Sequence, residues 1–95
     1  MFTVSPIVYG KVAEMICGRI GRSDYLSENL EFELDGVSCR MLFSAVVYRR
    51  HTYLPDAEYD ELSDLVPVWW EFHTTIDGVE LLNDFSFNEL RQYFK

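Results

Sequence analysis

The chain has 95 residues, of which 48% are hydrophobic and 16% aromatic. That suits one domain around one core and excludes an intrinsically disordered chain. Its net charge of −8 is uneven: residues 1–50 hold six acids and six bases, and residues 51–90 hold ten acids and no Lys or Arg. Such a second half argues against ordinary nucleic-acid binding and against anionic membrane surfaces, both of which need a basic footprint.

Ser5-Pro6 reads as a helix N-cap followed by proline at the first helical position. Val8, Val12, Met15, Ile16 and Ile20 then recur at helical spacing, so a first helix is predicted over about 6–20. The next segment, RSDYLSEN, reads as loop. The opening residues lack the basic and continuously apolar regions of a secretory signal. Apolar runs are too broken for a membrane span. A cytoplasmic location is therefore expected. Cys17 and Cys39, each among apolar neighbours, read as buried small hydrophobes rather than a disulfide.

LEFEL alternates cleanly, with Leu30, Phe32 and Leu34 on one side and Glu31 and Glu33 on the other. Asp35-Gly36 is a two-residue hairpin signal. It pairs 34 with 37, 32 with 39 and 30 with 41, and sets Arg40 opposite Glu31. A long second strand follows, from Val37 to about Tyr53. In the acidic stretch after it, Tyr59, Leu62 and Leu65/Val66 form an apolar stripe, which predicts a short helix over 56–64. A third strand is predicted from about Pro67 to Ile76. Asp77-Gly78 makes a second hairpin into a strand from Val79 to about Leu82. FSFNEL combines a capping box, Ser86 with Glu89, and a staple, Phe85 with Leu90. It opens a short final helix. The predicted fold is α+β: an N-terminal helix, a four-stranded antiparallel sheet of two Asp-Gly hairpins, and a short C-terminal helix.

VPVWWEFH raises the main question, because neighbouring strand residues point to opposite faces and both tryptophans cannot share one core. Parity assigns Val68, Trp70, Phe72, Thr74 and Ile76 to the core side, with Val37, Cys39, Met41, Phe43, Ala45 and Val47. The outer face then carries Leu42, Val46, Tyr48 and Trp69, rimmed by Arg40, Arg50, Glu71 and His73. That pattern resembles the anatomy of an interface. Three occupants suit it: the 54–66 segment folded over it, a second copy of the chain, or another protein. A β-bulge in the long strand would alter the assignment.

Motifs for chemistry are weak. Asp56, Glu58 and Asp60 have the spacing of the first calcium ligands of a helix–loop–helix site, but Glu61 stands where that loop needs glycine and Pro67 where it needs a bidentate glutamate. His51 and His73 show no zinc spacing. Cys17 has no activating neighbour. The two arginines of CGRIGRS read as partners of the helix dipole before an anion site. No metal, cofactor or catalytic constellation is expected. The reading is a non-enzymatic interaction domain, homodimeric through Leu42, Val46, Tyr48, Arg50, Trp69, Glu71 and His73, or bound there to a protein partner. The alternatives are an acidic mimic of nucleic acid and a small enzyme or ligand-binding domain using His51, His73, Glu71 and Arg50.

Overall fold

A computed structural model describes residues 1–55 and 57–94, with the side chains of 52–54 and 57–61 outside the description. The order of elements is α1 (Pro6–Arg19), β1 (Tyr25–Leu34), β2 (Val37–Leu54), β3 (Ala57–Ile76), β4 (Val79–Leu81) and α2 (Phe87–Arg91), which runs into a 3₁₀ turn over Gln92–Phe94. The fold is α+β, and the sheet is a meander in the order β1-β2-β3-β4.

Both Asp-Gly turns fix their hairpins. Asp35 and Gly36 have φ of 52° and 78°, and Asp77 and Gly78 have 50° and 80°. Positive φ at both central residues is the twist-matched hairpin turn. The register follows: Leu34 pairs with Val37, Phe32 with Cys39, Leu30 with Met41, and Glu31 with Arg40.

The core lies on one face of the sheet. Val37, Cys39, Met41, Phe43, Ala45 and Val47 alternate along β2, and all are buried. Against them α1 presents Val8, Tyr9, Val12, Ala13 and Ile16, and α2 presents Phe87 and Leu90. The five-residue α2 is too short to persist alone. Several long-range bonds hold this end of the chain. The Phe2 N–H donates to the Leu82 carbonyl at 2.7 Å. The Val4 N–H donates to the Asp84 carboxylate at 2.7 Å. The Arg91 guanidinium grips Asp64 through Nε at 3.0 Å and Nη2 at 2.6 Å, and this bond holds Arg91 above the usual arginine range.

Three expectations about the boundaries and caps of the elements fail. The loop predicted before β1 is in part strand, since β1 begins at Tyr25. The helix predicted over 56–64 is absent: residues 57–64 belong to β3, and Asp56 lies outside the described residues. The cause is a register shift at Tyr48/Arg49 that leaves Ser63 as an extra residue in β3. Leu62 and Leu65, three apart, therefore face Arg49 and Val47 and both meet the core. A bulge has produced helical spacing inside a strand. Third, the Ser86–Glu89 capping box does not form. Ser86 is the N-cap, but its side chain makes no capping bond. The Tyr9 hydroxyl takes the Ser86 N–H instead, at 3.1 Å.

β2 and β3 run on past the start of β1, whose Tyr25 pairs with Val46. They form a two-stranded arm from about Tyr48 round to Leu62. The long axis of the molecule is 54 Å against 23 and 18 Å, a length on the scale of the whole 18-residue β2 rather than of the arm alone.

Candidate functional site

The face of the sheet turned from the helices follows from the register, row by row. Glu33, Ser38, Thr75 and Glu80 share the row nearest the turns. Glu31, Arg40 and His73 come next, then Asn29, Leu42 and Glu71. Ser27, Ser44 and Trp69 form the middle row, and Tyr25, Val46 and Val66 the one beyond. Tyr48 and Arg50 continue the face onto the arm. All seven residues of the predicted interface therefore stand at outward register positions. Tyr25 and Val66 join the same apolar band. Tyr25 escaped notice because its segment read as loop, and Val66 because it read as the end of a helix.

The tryptophans divide as parity requires, yet neither is fully buried. Trp69 lies outward and is 48% exposed; Trp70 lies inward, edge-on to Phe85 at 5.4 Å, and is still 37% exposed. Val68, assigned to the core from the sequence, is 62% exposed. A second register shift causes this, for Ser44 faces Trp69 while Ala45 faces Pro67, and Val68 is the extra residue. The irregularity anticipated for β2 sits in its partner strand. Around Trp69, Tyr48 is 52% exposed and Leu42 and Val46 are half-buried. Ser44 is buried, and its hydroxyl lies 2.7 Å from that of Ser27. Residues 57–66 do not fold over this face, because they are β3 itself.

The polar end of the face is built round His73. Its Nδ1 lies 2.6 Å from Glu80 and its Nε2 3.4 Å from Glu71. An open cavity of about 580 Å³ lies here, lined by Glu31, Ser38, Arg40, His73, Thr75 and Glu80 among others. His51 does not join it. His51 faces Asp60, eleven positions along β2 from the Arg40–His73 pair, roughly 37 Å at about 3.4 Å per residue. The acid–base group of His51, His73, Glu71 and Arg50 is thus not assembled in one place: His73 and Glu71 meet, while Arg50 and His51 stand on the arm. Among the described residues no cluster of three His, Cys, Asp or Glu could hold a metal ion. The acids at 56, 58 and 60 have side chains outside the description. Of the CGRIGRS arginines, Arg19 pairs with Glu28 at 3.1 Å. Arg22 lines a separate cavity with Arg49, which bonds Asp24 at 3.2 Å.

The open edge of β3 is poorly suited to receive another strand. Val47 donates its N–H to Asp24 on the β1 side, so its partner Leu65 directs its own N–H away from β2, to the open edge. There the Asp64 carboxylate accepts it at 2.8 Å. Two residues on, Pro67 has no N–H to give. Further along, the Phe72 carbonyl accepts Asn83 Nδ2 at 2.9 Å. Proline, a bulge and local capping are the usual devices that blunt an edge strand. The stretch of edge from Leu65 to Phe72 is blunted, and the face is not.

No protein-family model, curated protein or solved structure matches this chain. No helix among the described residues is long and apolar enough to cross a membrane.

Proposed function

We propose that this chain is a small non-enzymatic interaction domain that associates with a second copy of itself through the outer face of its sheet. The observation that carries this reading is Trp69 at the centre of an uncovered apolar band, with both helices on the opposite side. Soluble proteins rarely leave such bands bare, and Trp, Tyr and Arg are the residues that anchor interfaces. The size is adequate. Three strands about 4.8 Å apart and ten residues long give a flat footprint of roughly 500 Å², which side-chain relief and the arm extend towards the ~800 Å² per partner of a stable interface. The free thiols Cys17 and Cys39 suit a reducing compartment, so action in the cytoplasm is part of the proposal.

Mimicry of nucleic acid is disfavoured by magnitude. Duplex DNA as long as the 54 Å axis carries on the order of 32 charges, at one per ~1.7 Å. The chain carries a net −8.

Light scattering on a sizing column tests the proposal. The wild type is expected as a dimer at both low and high salt. Trp69→Glu and Val46→Glu are each expected to give folded monomer. A monomeric wild type, or a dimer that survives both changes, would overturn it.

A further inference from the structure

The opposite edge of the sheet, β1, lacks the devices that blunt β3. Val47 donates its N–H to the Asp24 carbonyl, so Asp24 turns its carbonyl to β2. Successive residues of an antiparallel strand turn their backbone polar groups to opposite sides. β1 and β2 pair from end to end without a register shift, so this alternation holds throughout β1. Its even positions face β2. Tyr25, Ser27, Asn29, Glu31 and Glu33 direct N–H and C=O to the open edge. Ser23 Oγ takes the Tyr25 N–H at 3.2 Å. Among the described residues no hydrogen bond reaches the backbone of the other four on that side. All four are exposed, and the strand contains no proline. The result is a regular row of donors and acceptors roughly 20 Å long, at about 3.4 Å per residue.

The side chains beside this row select what pairs with it. On the helix side Leu26 and Leu30 are buried, and Phe32 and Leu34 are half-buried against the core. On the outer side stand Ser27, Asn29, Glu31 and Glu33. Glu31 has Arg40 across the register, whereas Glu33 has only Ser38. Neither carboxylate makes an ion pair among the described residues. β1 holds three acids and no base, and of the three Glu28 is already paired with Arg19. Pairing β1 with β1 of a second copy therefore sets acid beside acid with no base between them. We propose that the edge from Ser27 to Glu33 is a site for strand addition, and that its occupant is an extended segment of another protein in which basic and apolar residues alternate. Backbone bonds to the four open residues hold the segment. Its apolar residues lie beside Phe32 and Leu34. Its basic residues lie on the outer side, and the one opposite Glu33 sits at the cavity of about 580 Å³ that Glu31, Glu33 and Glu80 help to line. The bonds lie in the plane of the sheet, so the site is distinct from the outer face and does not rest on self-association.

Amide hydrogen exchange read by NMR tests this with an end-capped synthetic peptide of alternating Lys and Val. In the protein alone the amides of Ser27, Asn29, Glu31 and Glu33 should exchange fast, and those of Glu28, Leu30 and Phe32 slowly. Saturating peptide should slow the four fast amides by roughly tenfold or more. A peptide of alternating Glu and Val should leave them unchanged. Asn29→Pro removes an outward N–H and no bond to β2, and should weaken binding of the Lys–Val peptide roughly tenfold. Glu33→Lys leaves the backbone untouched and should weaken the Lys–Val peptide while favouring the Glu–Val one. No slowing by the Lys–Val peptide, or equal slowing by both peptides, would overturn the proposal. So would protection of the four amides that grows with protein concentration and needs no peptide, because a second copy would then occupy the edge.

Discussion

The Tyr9 hydroxyl accepts the Ser86 N–H across 77 positions of sequence, and so ties α1 to the N-cap of the C-terminal helix. The bond caps a helix end that its own Ser86 side chain leaves uncapped. Tyr9 also stacks on Phe85 at 5.2 Å and on Tyr93 at 5.8 Å, which makes it the joint between the two ends of the chain.

Tyr9→Phe keeps the stacking and removes the acceptor. A cost of about 1 kcal/mol is expected, for a part-buried donor left without its partner. There is a pH signature as well. Burial pushes the Tyr9 hydroxyl above the usual tyrosine range, against the opposing pull of the Ser86 bond, and the nearby Asp84 and Glu89 add to the rise. A raised pKa means that the unfolded state releases its proton first. The stability Tyr9 contributes is therefore intact below about pH 10, the unfolded value, and is lost as pH climbs through the folded value. Urea unfolding at pH 8 and pH 10.5 should show a smaller loss in Tyr9→Phe than in the wild type. Equal losses would remove Tyr9 as the source.

The two turns should respond to substitution as positive-φ positions do. Gly36 at φ 78° has open space around the site of a Cβ, so an alanine there meets no clash and suffers only backbone strain. Gly36→Ala should cost about 1–2 kcal/mol, and Gly36→Asn distinctly less. Thermal unfolding of both variants checks this. Equal midpoints for the two would show that the turn conformation does not limit stability.

Ser27 and Ser44 form a pair suited to a double-mutant cycle. Ser27→Ala strands the buried Ser44 hydroxyl and is expected to cost about 1 kcal/mol. Removing both hydroxyls should cost less than the two single changes summed, with a coupling of about 0.5 kcal/mol or more. Strict additivity would mean that the 2.7 Å contact contributes nothing.

The thiols should differ in access and agree in sluggishness. Cys17, read from the sequence as buried, is exposed on α1, and Cys39 is buried. Desolvation pushes both above the usual thiol range. A maleimide or an aromatic disulfide should label Cys17 slowly at pH 7 and faster as pH rises. Cys39 should react only on unfolding. Two fast equivalents in native buffer would contradict the burial of Cys39.

Local chemistry was the part of this fold most legible in the sequence. Asp35-Gly36 and Asp77-Gly78 each dictate a turn, a turn dictates a register, and the alternation around Leu30, Phe32 and Leu34 agrees with it. Two of the failures share one physical cause. A β-bulge leaves no sequence mark as clear as Asp-Gly, yet it reverses parity for every residue beyond it. Ser63 made Leu62 and Leu65 look helical, and Val68 turned from core to surface. The lost capping box has a different origin. Glu89 was the expected partner of the Ser86 N–H, and a tyrosine 77 positions away reached it first. The outward residues from Leu42 to His73 could be read because β2 itself carries no extra residue.

The blunted edge of β3 bears on how the protein behaves at high concentration. A sheet with two open edges is a template for growth, each added chain offering the next a fresh row of donors and acceptors, and the end point is a fibril. Here the Leu65 N–H is spoken for, Pro67 has none, and the Phe72 carbonyl is capped. Along the stretch from Leu65 to Phe72, lateral pairing meets groups already taken or missing. A chain rich in aromatic residues and exposed valine can thus present a sticky surface and remain a finite particle, since stacking by faces closes on itself where pairing by edges would not.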